Sequence, residues 1–154
     1  MKKFAWECMA GMLLAIVSAA AFATVANTKH NLSTSGPGTI KASGESRICV
    51  FCHTPHNASA NAPLWNRHQS GRTYIPYSST TATASPGQPT GASILCLSCH
   101  DGTIALGDVL SEPADIPMAG GMTTLPTGKT NLTTDLSDDH PVSFTYSPAL
   151  TSSG

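Results

Sequence analysis

Two stretches of this 154-residue chain repeat one frame of reactive side chains. The first is Cys49-Val50-Phe51-Cys52-His53, the second Cys96-Leu97-Ser98-Cys99-His100. On a helical turn, two cysteines three apart share a face, and the residue after the second falls beside them. Thiols so placed can each form a thioether with one of the two vinyl groups on a haem edge, while the imidazole that follows ligates the iron from one side. The spacing therefore predicts two covalent haems c. Cys49, Cys52, Cys96 and Cys99 are the attachment sites, and His53 and His100 the proximal ligands. Two other readings use the same thiols: four thiolates on one zinc ion, or a disulfide or redox-active pair in each motif. Both leave the histidine after each motif without a role. The redox reading also lacks the βαβ pattern such pairs usually occupy.

The far side of each iron has several candidates. His30, His56, His68 and His140 remain once the proximal pair is set aside. His56 cannot serve the iron of His53, because axial imidazoles approach from opposite ring faces and a three-residue link cannot pass round a porphyrin edge. As a ligand it would serve a neighbouring haem, in this chain or in a partner. His30 sits before Gly36-Pro37-Gly38, on an arm that could fold back over the first haem. His140 follows the second motif and could close over that haem, with Asp135, Asp138 and Asp139 nearby to orient it. His68 reads as a surface residue. Met118 and Met122 are softer alternatives that would raise the potential.

The elements that must position these groups are sparse. Charged residues are 11% of the chain and aromatics 6%. Beyond residue 30 the sequence is mostly Ser, Thr, Gly, Pro, Ala and Asn, too poor in apolar runs to offset its conformational entropy with an ordinary core. The expected fold is mostly irregular and loop-rich, with a few short α-helices and a core organised by haem. Lys2 and Lys3 followed by an apolar run at 9–23 read as a signal peptide cleaved after Ala23, with Ala26 as the second choice. The run is too short for a span, so no stable membrane span is expected after cleavage. Removing Lys2, Lys3, Glu7 and Cys8 leaves the four motif cysteines, 6 basic and 8 acidic residues, and a net charge of −2. The expected destination is the periplasm or the outer surface, where cysteines must be occupied.

Residues 24–154 then form one two-haem domain. Its uncharged stretch at 78–93 reads as a flexible linker between haem-binding halves. A short helix is expected to carry the second motif and to end at Asp101-Gly102. Another short helix or turn is expected at Thr103 to Leu110, and a short strand at Val142 to Tyr146. Trp65, Tyr74 and Tyr77 could pack on a haem face or edge. No basic cluster suits a nucleic acid, and no hydrolase constellation stands out.

The flanks of the motifs resemble the multihaem c-type cytochromes with doubled CxxCH motifs found in metal-reducing bacteria. The resembling stretches are Lys29 to Ser33 (KHNLS), Ile48 to Asn57 (ICVFCHTPHN), Pro63 to Asn66 (PLWN), Leu95 to Leu106 (LCLSCHDGTIAL) and Asp135 to Phe144 (DLSDDHPVSF). Such proteins typically continue with further motifs, so this chain resembles their N-terminal, two-haem portion. The resemblance implies bis-histidine ligation, with His30 and His140 as distal ligands and His56 built for a neighbouring haem. The function it implies is one-electron transfer in anaerobic or extracellular respiration, by a carrier rather than an enzyme. Partners would be other redox proteins, multihaem cytochromes among them. An open iron that reduces a small molecule, or a subunit of a cytochrome filament, are the alternatives.

Overall fold

The structure is a computed structural model that describes residues 24–60 and 62–151. The expected signal peptide, residues 1–23, lies outside the described residues. The chain is loop-rich, as its composition implied. Helix α1 spans Gly91–His100, and α2 is a single closing turn at Pro148–Thr151. Three 3₁₀ turns occupy Val25–Asn27, Cys49–Phe51 and Ala119–Gly121. Among the described residues, β pairing is limited to isolated bridges: Ala42 with Met118, His53 with Trp65, Ile75 with Asp135, and Gly128 with Asn131. None of the described helices is long and apolar enough to cross a membrane.

Helix α1 places Cys96, Cys99 and His100 on one face and ends where the sequence implied. Gly102 adopts a left-handed φ of 68°, and the Asp101 N–H closes the last turn on the Leu97 carbonyl at 3.0 Å. Two apolar clusters flank the helix. The larger joins Ala42, Val50, Phe51, Leu106, Val109, Ile116, Met118 and Leu125, with Cys52 and Cys99 packed against it. The smaller is Tyr74, Leu97 and Leu136. The second cysteine of each motif thus meets the same core.

One local expectation fails for an identifiable reason. Val142 to Tyr146 forms no strand. Ser143 takes a positive φ of 58°, which breaks the extended run. Its hydroxyl instead accepts from the Thr90 N–H at 2.9 Å and donates to the Thr90 carbonyl at 3.3 Å. Of the helix or turn expected at Thr103 to Leu110, the chain takes the turn. The Ala105 and Leu106 carbonyls that a helix would use internally are taken by Arg67 at 3.0 and 2.9 Å.

With little apolar packing available, buried polar side chains join the loops. Asn66 has no exposed surface. Its amide donates to the Val50 carbonyl at 2.6 Å and the Ser111 hydroxyl at 2.8 Å, and accepts from the Ser111 N–H at 2.9 Å. It therefore ties the first motif to the 110–111 segment. Gly107 must be glycine, because a Cβ there would collide with the Ile116 carbonyl. Asn66→Ala leaves buried groups unpaired on both segments. It should destabilise the protein by about 2–3 kcal/mol, read as a lower urea midpoint with an unchanged denaturant slope.

Candidate functional site

The two motifs are built differently. At the first, the Cys49 carbonyl accepts from the Cys52 N–H at 3.1 Å and the His53 N–H at 2.8 Å, so one tight turn carries the whole frame. The chain then doubles back through Leu64 to Asn66, whose N–H groups and carbonyls alternate with those of Cys52 and Thr54. This brings the Trp65 ring to the His53 ring, edge-on, with centroids 6.0 Å apart. The Trp65 indole nitrogen is shielded from solvent and has no hydrogen-bond partner among the described residues. It is a spare donor close to His53 for an acceptor that the polypeptide does not itself supply.

The second motif is more tightly held. His100 is fixed from behind: its Nδ1 lies 2.7 Å from the Thr130 carbonyl oxygen. A carbonyl only accepts, so Nδ1 carries the proton and Nε2 keeps its lone pair. That is the tautomer a metal-ligating histidine needs. The backbone reinforces the placement, with the Leu132 N–H donating to the His100 carbonyl at 2.7 Å. Asn131 steadies the same segment through the Leu125 carbonyl at 2.8 Å.

Opposite His100 stands His30. The two rings have centroids 6.2 Å apart and an interplanar angle of 61°. Two imidazoles bonding one metal from opposite sides, each at about 2.0 Å, place their ring centres about 6 Å apart. His30 thus lies at the second motif, not over the first haem as its position in the sequence suggested. Nor is its arm a loose one. Asn31, buried beside it, donates to the Ala26 carbonyl at 2.9 Å and the Ser35 hydroxyl at 3.3 Å. Its side-chain oxygen accepts from the Ser33 N–H at 3.1 Å and the Ser33 hydroxyl at 2.7 Å. The Leu32 carbonyl takes the Ala42 N–H at 2.7 Å, and Thr34 donates to the Glu45 carbonyl at the same distance. Gly36 closes the loop, since a Cβ there would strike the Asn31 carbonyl.

The other candidates lie elsewhere. His140 is exposed and faces a shallow groove with Tyr77, Leu136 and Val142, its Nδ1 3.0 Å from the Pro141 carbonyl. The ring beside His100 is that of His30, not that of His140. His56 is exposed. His68 faces Asp108 at 3.6 Å, on the surface. Met118 is in the core and Met122 packs against it, which accounts for both without a metal. Sequence reasoning overlooked Asn66, Arg67 and Thr130. Their roles depend on burial and on a backbone carbonyl, which leave no motif.

The residues present fit a haem at each motif. None of Cys49, Cys52, Cys96 and Cys99 is disulfide-bonded, and the first cysteine of each pair is exposed while the second is half-buried. Among the described residues no three His, Cys, Asp or Glu side chains gather as a single ion would require, whereas a haem iron takes two axial groups. Burial pushes the Cys52 and Cys99 thiols up, outweighing the opposing pull of the Arg67 charge. That is the reverse of what an activated redox thiolate needs. Comparison with protein-family models and with curated proteins finds no match for this chain.

Behind the second motif, Tyr74 donates to the buried Asp101 carboxylate at 2.6 Å, and Asp101 also accepts from the Thr103 N–H and hydroxyl at 2.9 and 2.8 Å. Burial, together with this bond, pushes the Tyr74 hydroxyl up to about 12. Below about pH 10, the usual tyrosine value, folded and unfolded chains both keep the phenolic proton. Above it the unfolded chain ionises first, so stability falls as pH rises towards 12. Tyr74→Phe should remove this alkaline fall while lowering stability at neutral pH, as urea midpoints between pH 7 and 11.5 would show.

Proposed function

We propose that this protein is a c-type cytochrome that carries two covalent haems and transfers single electrons as a carrier rather than an enzyme. The observation that carries the reading is the His30–His100 pair. Its rings are spaced as axial ligands would be, with the His100 tautomer set by the Thr130 carbonyl. That pairing adds a geometric argument to the two motif frames, which rest on sequence alone.

Each bound haem would supply one reversible one-electron centre. The chain's own residues do the rest. Cys49 and Cys52, and likewise Cys96 and Cys99, offer the thioether attachments. His53 and His100 present the proximal nitrogens. His30, beside His100, would offer a second imidazole to a haem at that motif and so exclude small ligands there, which suits outer-sphere electron transfer. Cys52 and Cys99 meet at one apolar cluster, so the two centres would be near neighbours, as a relay needs. In this reading the protein is exported to the periplasm or outer surface and exchanges electrons with other redox proteins, multihaem cytochromes among them.

The chain expressed with cytochrome c maturation machinery should bind two haems, measured as pyridine haemochrome per chain. One haem or none would sink the proposal. The ferrous spectrum under carbon monoxide tests the ligand set. His30→Ala should raise the carbon monoxide-binding fraction by one haem per chain relative to the wild type. No increase would remove His30 from the ligand set.

A further inference from the structure

Arg67 belongs to no ligand set, yet it lies where the two motifs meet. Its residue has 0% exposed surface. Nε donates to the Ser98 hydroxyl at 3.2 Å, Nη1 to the Leu106 carbonyl at 2.9 Å, and Nη2 to the Ser98 and Ala105 carbonyls at 2.9 and 3.0 Å. All four acceptors are neutral. The neighbouring buried carboxylate, Asp101, is held instead by Tyr74 and Thr103. A guanidinium does not lose its proton in a protein, so a full positive charge stays in the interior with no paired anion. A neutral side chain could fill this space without desolvating a charge, so packing alone does not explain an arginine.

The charge has a defined place. Asn66, the preceding residue, donates its N–H to the Cys52 carbonyl at 2.9 Å. Ser98, which Arg67 grips through both side chain and backbone, immediately precedes Cys99. The guanidinium is therefore anchored one residue from the second cysteine of one motif, and its backbone is one residue beyond the partner of the other. That placement sets one buried charge beside the inner cysteine of each motif.

We propose that Arg67 is a redox-positioning residue whose buried, unpaired charge raises the reduction potentials of both haems together. The inference rests on the haem reading above. Adding one electron to a ferric centre lowers its positive charge, and no bond is made or broken. A fixed cation buried nearby therefore favours the reduced state. Low dielectric and the absence of mobile counter-ions keep that effect from being screened. A unit charge at about 10 Å in a medium of effective dielectric about 20 moves such an equilibrium about tenfold.

The test is a spectroelectrochemical titration of the matured wild type beside Arg67→Gln, Arg67→Lys and Ser98→Asp. Haem content is measured first. Gln removes the charge and keeps hydrogen-bonding groups. Asp at position 98 keeps Arg67 but gives it a carboxylate, which cancels the field. Both should lower both midpoints, by about 59 mV for a tenfold change in a one-electron equilibrium. Lys keeps the charge without the planar fork, so it should hold the midpoints near wild type while lowering the urea midpoint. A purely structural role would instead move stability in Arg67→Lys and Arg67→Gln alike and leave the potentials alone. Arg67→Gln and Ser98→Asp chains that carry two haems at wild-type midpoints overturn the proposal, and so does a fall confined to one haem. If Arg67→Gln fails to load, Ser98→Asp decides. A wild-type chain without haem overturns the haem reading itself, an outcome seen before any potential is measured.

Discussion

The two motifs are joined through a buried guanidinium with no anion beside it. Arg67 joins the segment after the first motif to the end of α1 and to the turn that follows it. The flanking residues extend the join. Asn66 ties the first motif to residues 110 and 111, and Trp65 lies edge-on to His53. Three consecutive side chains thus hold both CxxCH frames in one arrangement. Apolar burial is non-directional, whereas a buried hydrogen-bonding group left without its partner is penalised heavily. In a chain with few large apolar residues, such groups can specify geometry that a thin core cannot. The same device recurs at the surface of the fold, where Arg47 bonds both Glu45 and Glu112 at 2.6 and 2.7 Å, holding Glu45 down to about 2. Arg47 itself is largely exposed, so its ion pairs contribute little to stability.

The second motif shows how such a scaffold can hold two imidazoles side by side. His30 comes from the first described turns and His100 from the end of α1, seventy positions later. Each is restrained by a different network: His30 by the Asn31–Ser33–Ser35 loop, His100 by the Thr130 carbonyl. The cost of ordering both imidazoles falls on folding, so if they ligate a haem as proposed, little rearrangement would be needed when an electron arrives. His53 has a different neighbourhood, an indole edge with an unpaired N–H. The two proximal histidines therefore sit in unlike surroundings even though the motifs that carry them match.

What the sequence discloses follows the range of the interactions involved. The two frames, the helix over the second motif, its exit at Asp101-Gly102 and the loop-rich character all depend on residues a few positions apart or on composition. They are legible for that reason. The partner of His100 is not. Linear order put His30 beside the first motif, but the Asn31 loop and its links to Ala42 and Glu45 turn it towards the second. The strand expected at Val142 to Tyr146 fails similarly, because alternation is only a local condition and a strand also needs a neighbour. Ser143 spends that segment's hydrogen bonds on Thr90 instead. Arg67 was the least legible of all, since a lone arginine in a polar stretch carries no mark of its burial.

The two unlike surroundings bear on how a relay of this kind would have direction. If Arg67 acts on both centres, it shifts their potentials together and leaves the difference between them to other groups. That difference has visible sources. Asp101 places a buried carboxylate one residue beyond His100. A negative group near one centre lowers the potential of that centre selectively. Bis-histidine ligation by His30 and His100 would lower it further relative to a weaker-field ligand set. In a chain carrying both haems, these local effects would bias the second site towards the low-potential end, and the shared cation with the unshared carboxylate would give electrons a downhill step from the second motif to the first.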